Sequence, residues 1–162
     1  MNPHIVAVFP LPEEAERAFH ALQEYVKKEE ISFLQKTNTP DTFTGDASAD
    51  PIVDGMAIGS VVGGAAGLAF SMGTLLIPGI GPIIAAGPIL SMLAGATSGG
   101  IIGGLADLGI NRYTSEHISQ HLTGGQVVLV VEISKAELRG PVIHLLEKYG
   151  AVDIHEEPVI EN

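Results

Sequence analysis

Two histidines in the last third of the chain are the residues whose types and spacing could do chemistry. His117 and His121 stand four positions apart, and Glu116 precedes the first of them. On a helix this spacing places two side chains on one face, where two imidazoles can bind one metal ion. The surrounding HExxH pattern of metalloproteases is missing, and no third ligand is evident. The pair is therefore a weak candidate metal site, and a solvated helix face is the alternative interpretation.

Patterns that support catalysis or nucleotide binding are missing from the rest of the sequence. No serine lies in a GxSxG motif, and the phosphate-binding motif GxxxxGK[ST] is absent. His20 and His144 are predicted to lie on helix surfaces or against the sheet, and the acidic run from Glu13 to Glu16 suits the N-terminus of a helix. We therefore predict no catalytic residue and no bound cofactor, and we interpret the protein as a non-enzyme.

Composition restricts the partners and the compartment. The formal net charge is −11, which argues against a nucleic-acid partner because phosphate binding needs clustered Lys and Arg. The chain has no cysteine, so disulfides and thiolate-bound zinc are excluded. The first residues contain neither a basic region nor a cleavable apolar core, which predicts that the protein is not secreted. We expect a cytoplasmic protein, either free or associated with the cytoplasmic membrane.

The stretch 52–108 is almost uncharged and rich in glycine. Small residues recur at every fourth position, and these candidates for helix packing and oligomerisation are Gly55, Gly59, Gly63, Gly67, Gly87, Ser91, Gly95, Gly99 and Gly103. Because residues four apart share one helix face, the spacing predicts a glycine zipper, in which two apolar helices approach closely. The helices are predicted over 55–77 and 83–105, and the turn between them contains Pro78, Gly79, Gly81 and Pro82.

A helix striped with glycine needs a packing partner. Each glycine inside a helix costs about 1 kcal/mol relative to alanine, so the other arm of the hairpin and other copies of the chain are the expected partners. Each predicted arm would reach about 35 Å, which is enough to cross a bilayer core. Aromatic and basic residues are scarce at the ends of the arms, which counts against insertion. Membrane insertion and burial within a soluble homo-oligomer both stay open.

The two regions that flank this stretch have the periodicity of a small α+β domain. Short β-prone runs predict strands at 5–9, 31–37, 126–133 and 151–155. Apolar residues at helical spacing predict helices that begin near Pro12, Asn111 and Ser134, with Ser115 as a candidate cap of the second helix. Gly150 is expected to end the last helix.

The flanking regions also repeat each other at an offset of 124 residues. The matched pairs are Val6 with Val130, Phe9 with Ile133, Glu13 with Glu137, His20 with His144, Leu22 with Leu146, and Tyr25 with Tyr149. Two β-α-β units in one chain predict a split β-α-β, or ferredoxin-like, α+β fold with a four-stranded antiparallel sheet. We predict that residues 1–37 and 111–162 form one domain, with a linker at 38–50 and the helical hairpin inserted at 51–110.

Three stretches carry a resemblance to a known family. They are VAVFPLPEEAERAFHAL from Val6, the turn IPGIGPIIAAGPI from Ile77, and LLEKYGAVDI from Leu145. Together with the glycine zipper, they resemble the bacterial general stress protein 17M-like, or heat-induced stress protein YflT-like, domain family. The resemblance implies an association with the stress response, and it implies no catalytic residue.

The function expected from the sequence is that of a non-enzymatic, stress-associated structural protein. It would self-assemble through its glycine-zipper hairpins at or in the cytoplasmic membrane. The alternative is a soluble homo-oligomeric sensory module that binds a ligand or a metal, with the hairpins buried in the assembly. The expected partners are other copies of the chain and, under the first hypothesis, lipid.

Overall fold

In the computed structural model, which describes residues 2–36, 72–77, 80–89, 100–107 and 109–158, helices flank one antiparallel sheet. The strands are β1 (His4–Phe9), β2 (Ile31–Lys36), β3 (Met72–Ile77), β4 (Gly81–Ala86), β5 (Val127–Glu132) and β6 (Asp153–Glu157). The helices are α1 (Pro12–Leu22), α2 (Gly100–Asp107), α3 (Arg112–Thr123) and α4 (Arg139–Lys148), with 3-10 turns at Lys28–Glu30 and Ala136–Leu138. The strand order is β3-β4-β2-β5-β1-β6.

Strands β1 and β5 lie side by side inside the sheet and are apolar on both faces. Every residue of β1 is buried, and so is every residue of β5 before its last. The two strands pair antiparallel with Val6 opposite Val130, the residues that the internal repeat makes equivalent. The apolar run at 126–133 is confirmed as an inner strand.

Helices cover both faces of the sheet. On the first face, Ile5, Ala7 and Phe9 of β1 pack with buried residues of α1 and α4. On the second face, Val6 and Val8 pack with buried residues of α2 and α3. A strand that is apolar on both faces needs cover on both. Two separate cores, one on each side of the sheet, provide that cover.

The predicted helical hairpin is wrong over 72–77 and 81–86, where the chain forms the paired strands β3 and β4. Strand β4 pairs with β2, with Ile83 opposite Lys36, so the described sheet has six strands rather than the predicted four. Ile83 and Ala85 are buried on the second face, and Ile84 is buried on the first. Because both faces are apolar, the strand shows no alternation in its sequence, and its apolar run resembles that of a buried helix.

The chain reverses direction at the predicted turn, but the turn joins two strands. Gly81 and Pro82, which were predicted to lie in a connection between helices, are the first residues of β4 and pair with the end of β3. Pro78 and Gly79 lie outside the described residues.

Two glycines of the predicted zipper are described, and neither supports a helix–helix contact among the described residues. Gly87 follows β4 with a φ of +80°, a left-handed conformation and not a helical one. Gly103 lies on α2, and a side-chain carbon added there would meet no described atom within 4 Å. The other zipper residues lie outside the described residues, as does the predicted linker at 38–50; they are Gly55, Gly59, Gly63, Gly67, Ser91, Gly95 and Gly99.

The structure also shows where the last helix ends and whether any described helix is long enough to cross a membrane. Gly150 follows α4 with a φ of +102°, which confirms it as the glycine that ends this helix. Over the described part of the chain, no helix combines the length and the apolar character needed to cross a membrane.

Replacing Gly87 by alanine is expected to destabilise the protein. The new methyl group would collide with the carbonyl oxygen of Ile31 and lie 3.0 Å from the Cα atom of Ser32, in a backbone conformation that alanine rarely adopts. We expect the free energy of unfolding to fall by about 1–3 kcal/mol in urea denaturation. The matched change Gly103→Ala should raise it by up to about 1 kcal/mol, because alanine is the better helix former. A loss of stability in Gly103→Ala would contradict the open surroundings of that glycine.

His4 makes the stability of the fold depend on pH. Burial lowers the pKa of its imidazole below the ordinary value of 6.5, while the neighbouring carboxylates of Glu132 and Glu157 raise it by less. The unfolded chain therefore binds this proton more readily than the folded chain does. The stability that His4 contributes above pH 6.5 is lost as the pH falls toward the lower folded-state pKa.

We expect the free energy of unfolding of the wild-type chain to fall between about pH 8 and about pH 5, with a slope from His4 of at most about 1.4 kcal/mol per pH unit. The variant His4→Gln should lose this part of the slope, and the exposed control His144→Gln should keep it. Urea denaturation across the pH range measures both. Equal slopes in His4→Gln and wild type would contradict the role of His4.

Candidate metal centre

Helix α3 is held at its N-terminus by a side-chain cap. The side-chain oxygen of Asn111 accepts a hydrogen bond from the backbone N–H of Thr114 at 2.9 Å, as an N-cap residue does. The predicted cap, Ser115, lies inside the first turn, and its hydroxyl donates to the backbone oxygen of Asn111 at 2.9 Å. The prediction of the cap residue was therefore wrong, although the helix begins where expected.

The two predicted histidines flank the buried stripe of α3. Ile118 and Leu122 of this stripe pack on the second face of the sheet. His117 and His121 precede them by one residue each, so they lie beside the stripe and one turn apart. They are half-buried, which shows that they do not project fully into solvent.

Strand β6 is an edge strand whose polar residues lie on the same face as α3. It pairs with β1, with Val8 opposite Asp153 and Val6 opposite His155. Val6 and Val8 belong to the second face, so Asp153 and His155 lie on that face as well. The residue between them, Ile154, packs against the core of the first face. The histidines of α3 therefore meet a polar row on β6.

Four titratable side chains converge between α3 and β6, and we call them the histidine cluster: His117, His121, Asp153 and His155. Three imidazole nitrogens approach one oxygen, Oδ2 of Asp153. The distances are 3.1 Å from Nε2 of His155, 3.4 Å from Nε2 of His121 and 3.8 Å from Nδ1 of His117. These side chains are 25–35% exposed, so the cluster is accessible from solvent.

Three members of the histidine cluster are close enough to bind one metal ion. One donor atom each from His117, His121 and Asp153 lies within 4.8 Å of the other two. Metal–ligand distances of about 2.0–2.2 Å place neighbouring ligands of a tetrahedral ion about 3.3–3.6 Å apart. The 3.4 Å between His121 and Asp153 already has this length, and His117 is only slightly farther away at 3.8 Å. Small side-chain movements would complete the site.

Hydrogen bonding within the protein leaves the histidine cluster incomplete. Nδ1 of His117 is buried and has no hydrogen-bond partner among the described residues. Its 3.8 Å separation from Oδ2 of Asp153 is too long for a hydrogen bond. Buried polar atoms are normally satisfied. An unpartnered imidazole nitrogen beside a carboxylate is therefore available to bind a cation.

Other contacts orient the donors. Nε2 of His155 is hydrogen-bonded to Oδ2 of Asp153 at 3.1 Å. Nδ1 of His121 is hydrogen-bonded to Oε1 of Gln126. A histidine that binds a metal usually bonds through its other ring nitrogen to an oxygen acceptor, and His121 has this arrangement. The ring of Tyr113 lies 4.9 Å from that of His117 on the exposed side of α3.

The polar row of β6 ends at Glu157, whose carboxylate is satisfied by protein groups. Glu157 is buried, and it accepts hydrogen bonds from the side-chain amide of Asn111 at 2.8 and 2.9 Å. It also accepts from the backbone N–H of Asn111 at 3.2 Å and from the hydroxyl of Thr114. Glu157 thereby fastens the N-terminus of α3 to β6.

The structure places beside the predicted histidine pair two side chains that sequence reasoning missed, Asp153 and His155. Asp153 and His155 lie far from the pair along the chain, and the register of β6 with β1 brings them together. Their alternate positions in a predicted strand were the available signal, because such residues share one face. His20 and His144 were predicted to lie on helix surfaces or against the sheet, and both are exposed on helix surfaces, on α1 and α4. These two helices cover the other face of the sheet from the histidine cluster.

Comparison with known proteins identifies a family model that covers the candidate site. The model is described as "Protein of unknown function (DUF1269)", and it matches residues 72–157, which is more than half of the chain and runs from β3 to β6. No curated protein and no solved structure matches the chain. All four members of the histidine cluster lie within the matched residues.

Replacing Asn111 by alanine is expected to destabilise the α3–β6 contact. The change removes the cap of α3, worth about 1 kcal/mol, and leaves the buried carboxylate of Glu157 without two of its donors. We expect the free energy of unfolding to fall by about 2–4 kcal/mol in urea denaturation. Asn2→Ala is the control, because Asn2 is exposed and bonds only to Glu132 at 2.6 Å among the contacts described. Equal losses in the two variants would contradict this role of Asn111.

Proposed function

The chain belongs to the DUF1269 family, and on this premise we propose that it is a non-enzymatic module that binds one divalent transition-metal ion of the Zn²⁺ class. The proposed ligands are His117, His121 and Asp153, and His155 orients Asp153 through the hydrogen bond between its Nε2 and Oδ2 of Asp153. One observation carries the proposal. Imidazole nitrogens converge on a single carboxylate oxygen, and one of them, Nδ1 of His117, has no partner among the described residues.

The donor set favours a particular class of ion. Two imidazoles and a carboxylate suit Zn²⁺ and its first-row neighbours, whereas Mg²⁺ and Ca²⁺ prefer oxygen ligands throughout. The formal net charge of −11 raises the concentration of cations near the protein surface. Three protein ligands leave a position of a tetrahedral ion free for water.

The position of the site supports a sensory role. An ion bound there would join α3 to an edge strand, so occupancy would change how firmly the two elements are held together. The strand order β2-β5-β1-β6, with its two interleaved β-α-β halves, supports a ferredoxin-like assignment for this part of the sheet. The resemblance to the general stress protein 17M-like family supports a place for the module in the bacterial stress response.

Self-assembly through a glycine zipper is a separate proposal that rests on residues outside the described part of the chain. The β3–β4 hairpin restricts it, because any zipper helix must end before Met72 or begin after Ala86. The oligomeric state and the contact with lipid stay predictions from the sequence.

Titration of the untagged, chelator-treated chain with Zn²⁺ tests the proposal. We expect one ion per chain and a rise in Tm, with a gain in stability of about 2.7 kcal/mol when the free ion exceeds its Kd about 100-fold. His121→Ala and Asp153→Asn should each weaken binding by about tenfold or more, because each removes a ligand. Mg²⁺ at the same concentration should leave Tm unchanged.

His20→Ala and His144→Ala are the matched controls, since both histidines are exposed on helices that cover the other face of the sheet. Both variants should bind Zn²⁺ as the wild type does. A wild-type chain that Zn²⁺ does not stabilise, or controls that lose as much affinity as His121→Ala, would disprove the proposed site.

A further inference from the structure

We propose that Gln126 is a positioning residue that keeps the proton of the His121 ring on Nδ1 and so makes Nε2 the metal-binding atom. The inference rests on the proposed function, and it names the residue outside the ligand set that prepares the site. Gln126 lies between α3 and β5 and is half-buried.

The backbone ties Gln126 to the histidine that it would position. Helix α3 ends at the Gly124–Gly125 turn, where Gly125 has a φ of +85°. This turn brings the chain back, and the backbone N–H of Gln126 donates to the backbone oxygen of His121 at 3.0 Å. The side-chain contact between Oε1 of Gln126 and Nδ1 of His121 is made from this fixed point. Gln126 is therefore held to His121 through both its backbone and its side chain.

The direction of the side-chain hydrogen bond decides which ring nitrogen can bind a metal. An amide oxygen only accepts hydrogen bonds, so Nδ1 of a neutral His121 must carry the proton in this contact. Nε2 then presents a lone pair, and it faces Oδ2 of Asp153 at 3.4 Å. A lone pair and a carboxylate oxygen repel each other at this distance unless a proton or a metal ion lies between them. The arrangement is thus prepared for an ion.

Rotation of the amide would give the opposite result. The NH₂ group of Gln126 would then donate to Nδ1, the proton of His121 would lie on Nε2, and Nε2 would donate to Asp153. That state satisfies the same groups without an ion but removes the lone pair that binds it. Because the amide oxygen of Gln126 faces Nδ1, the side chain holds His121 in the metal-binding form.

Two variants of Gln126 distinguish the two forms of His121, and a variant of Gln120 is the control. Gln126→Met keeps the size of the side chain and removes the acceptor, whereas Gln126→Glu keeps an oxygen that can only accept. Gln120→Met makes the same change at an exposed position of α3. Zn²⁺ affinity is measured for each, and long-range ¹H–¹⁵N spectra of the metal-free proteins locate the proton on the His121 ring. The spectra are recorded about two pH units above the ordinary histidine pKa.

We expect Gln126→Met to bind Zn²⁺ about 10- to 100-fold more weakly than wild type, while Gln126→Glu and Gln120→Met keep at least the wild-type affinity. In the metal-free spectra, the proton of His121 should lie on Nδ1 in the wild type and in Gln126→Glu, and it should move toward Nε2 in Gln126→Met. A structural effect alone would lower the affinity without moving the proton.

The inference is overturned if the proton lies on Nε2 in the metal-free wild type, or if Gln126→Met binds Zn²⁺ as tightly as Gln120→Met does. A wild-type chain that binds no Zn²⁺ would disprove the metal site instead. The spectra of the metal-free proteins would still decide whether Gln126 sets the position of the proton, so the two failures are distinguishable.

Discussion

Both faces of the β1–β5 strand pair are apolar, and most of the structure follows from keeping both faces away from water. Burying one Val, Leu or Ile side chain contributes about 1.5–3 kcal/mol, so a bare face would forfeit much of the net stability of a domain. Helices α1 and α4 both lie on the first face. The second face is covered by α2 and α3, which come from the chain between β2 and β5. The connecting segment is therefore partly a cover for the sheet and not simply an insertion.

The sequence predicts those parts of the fold whose signal is local. The unbroken apolar run at 126–133 indicates an inner strand, and this strand is observed. The repeat matches Val6 with Val130, and these two residues lie opposite each other in the sheet. The hairpin at 72–86 was misread because residues such as Ile83 and Ile84 are buried on opposite faces. A run of this kind has neither period 2 nor period 3.6, and only its pairing with β2 decides between strand and helix.

The candidate site was predicted only in part, for a related reason. The spacing of His117 and His121 is a helical signal that can be read from five neighbouring residues, but it contains no third ligand. Asp153 reaches the pair because β6 lies beside β1 on the face that α3 covers. That proximity depends on the strand order of the whole sheet. Gln126 is different, since it is near His121 in the chain, and the Gly124–Gly125 turn could have indicated that the two meet.

The polar row of β6 on the second face has two possible physical explanations. The residues at its two ends, Asp153 and Glu157, distinguish between these explanations. Charged residues that point inward on an edge strand discourage pairing with another sheet. A carboxylate that serves this purpose is best satisfied by its own protein, as Glu157 is through Asn111 and Thr114. Asp153 differs, because three imidazole nitrogens approach one of its oxygens.

Oδ2 of Asp153 is hydrogen-bonded to Nε2 of His155, whereas Nε2 of His121 faces it with a lone pair and Nδ1 of His117 has no partner among the described residues. Protection of the edge would be met at Asp153 by the same kind of amide and hydroxyl contacts that Glu157 receives. Protection of the edge does not explain why three imidazole nitrogens lie near Asp153 at one end of the row. A bound cation does, because the nitrogen lone pairs of His117 and His121 and the carboxylate charge of Asp153 then have a partner.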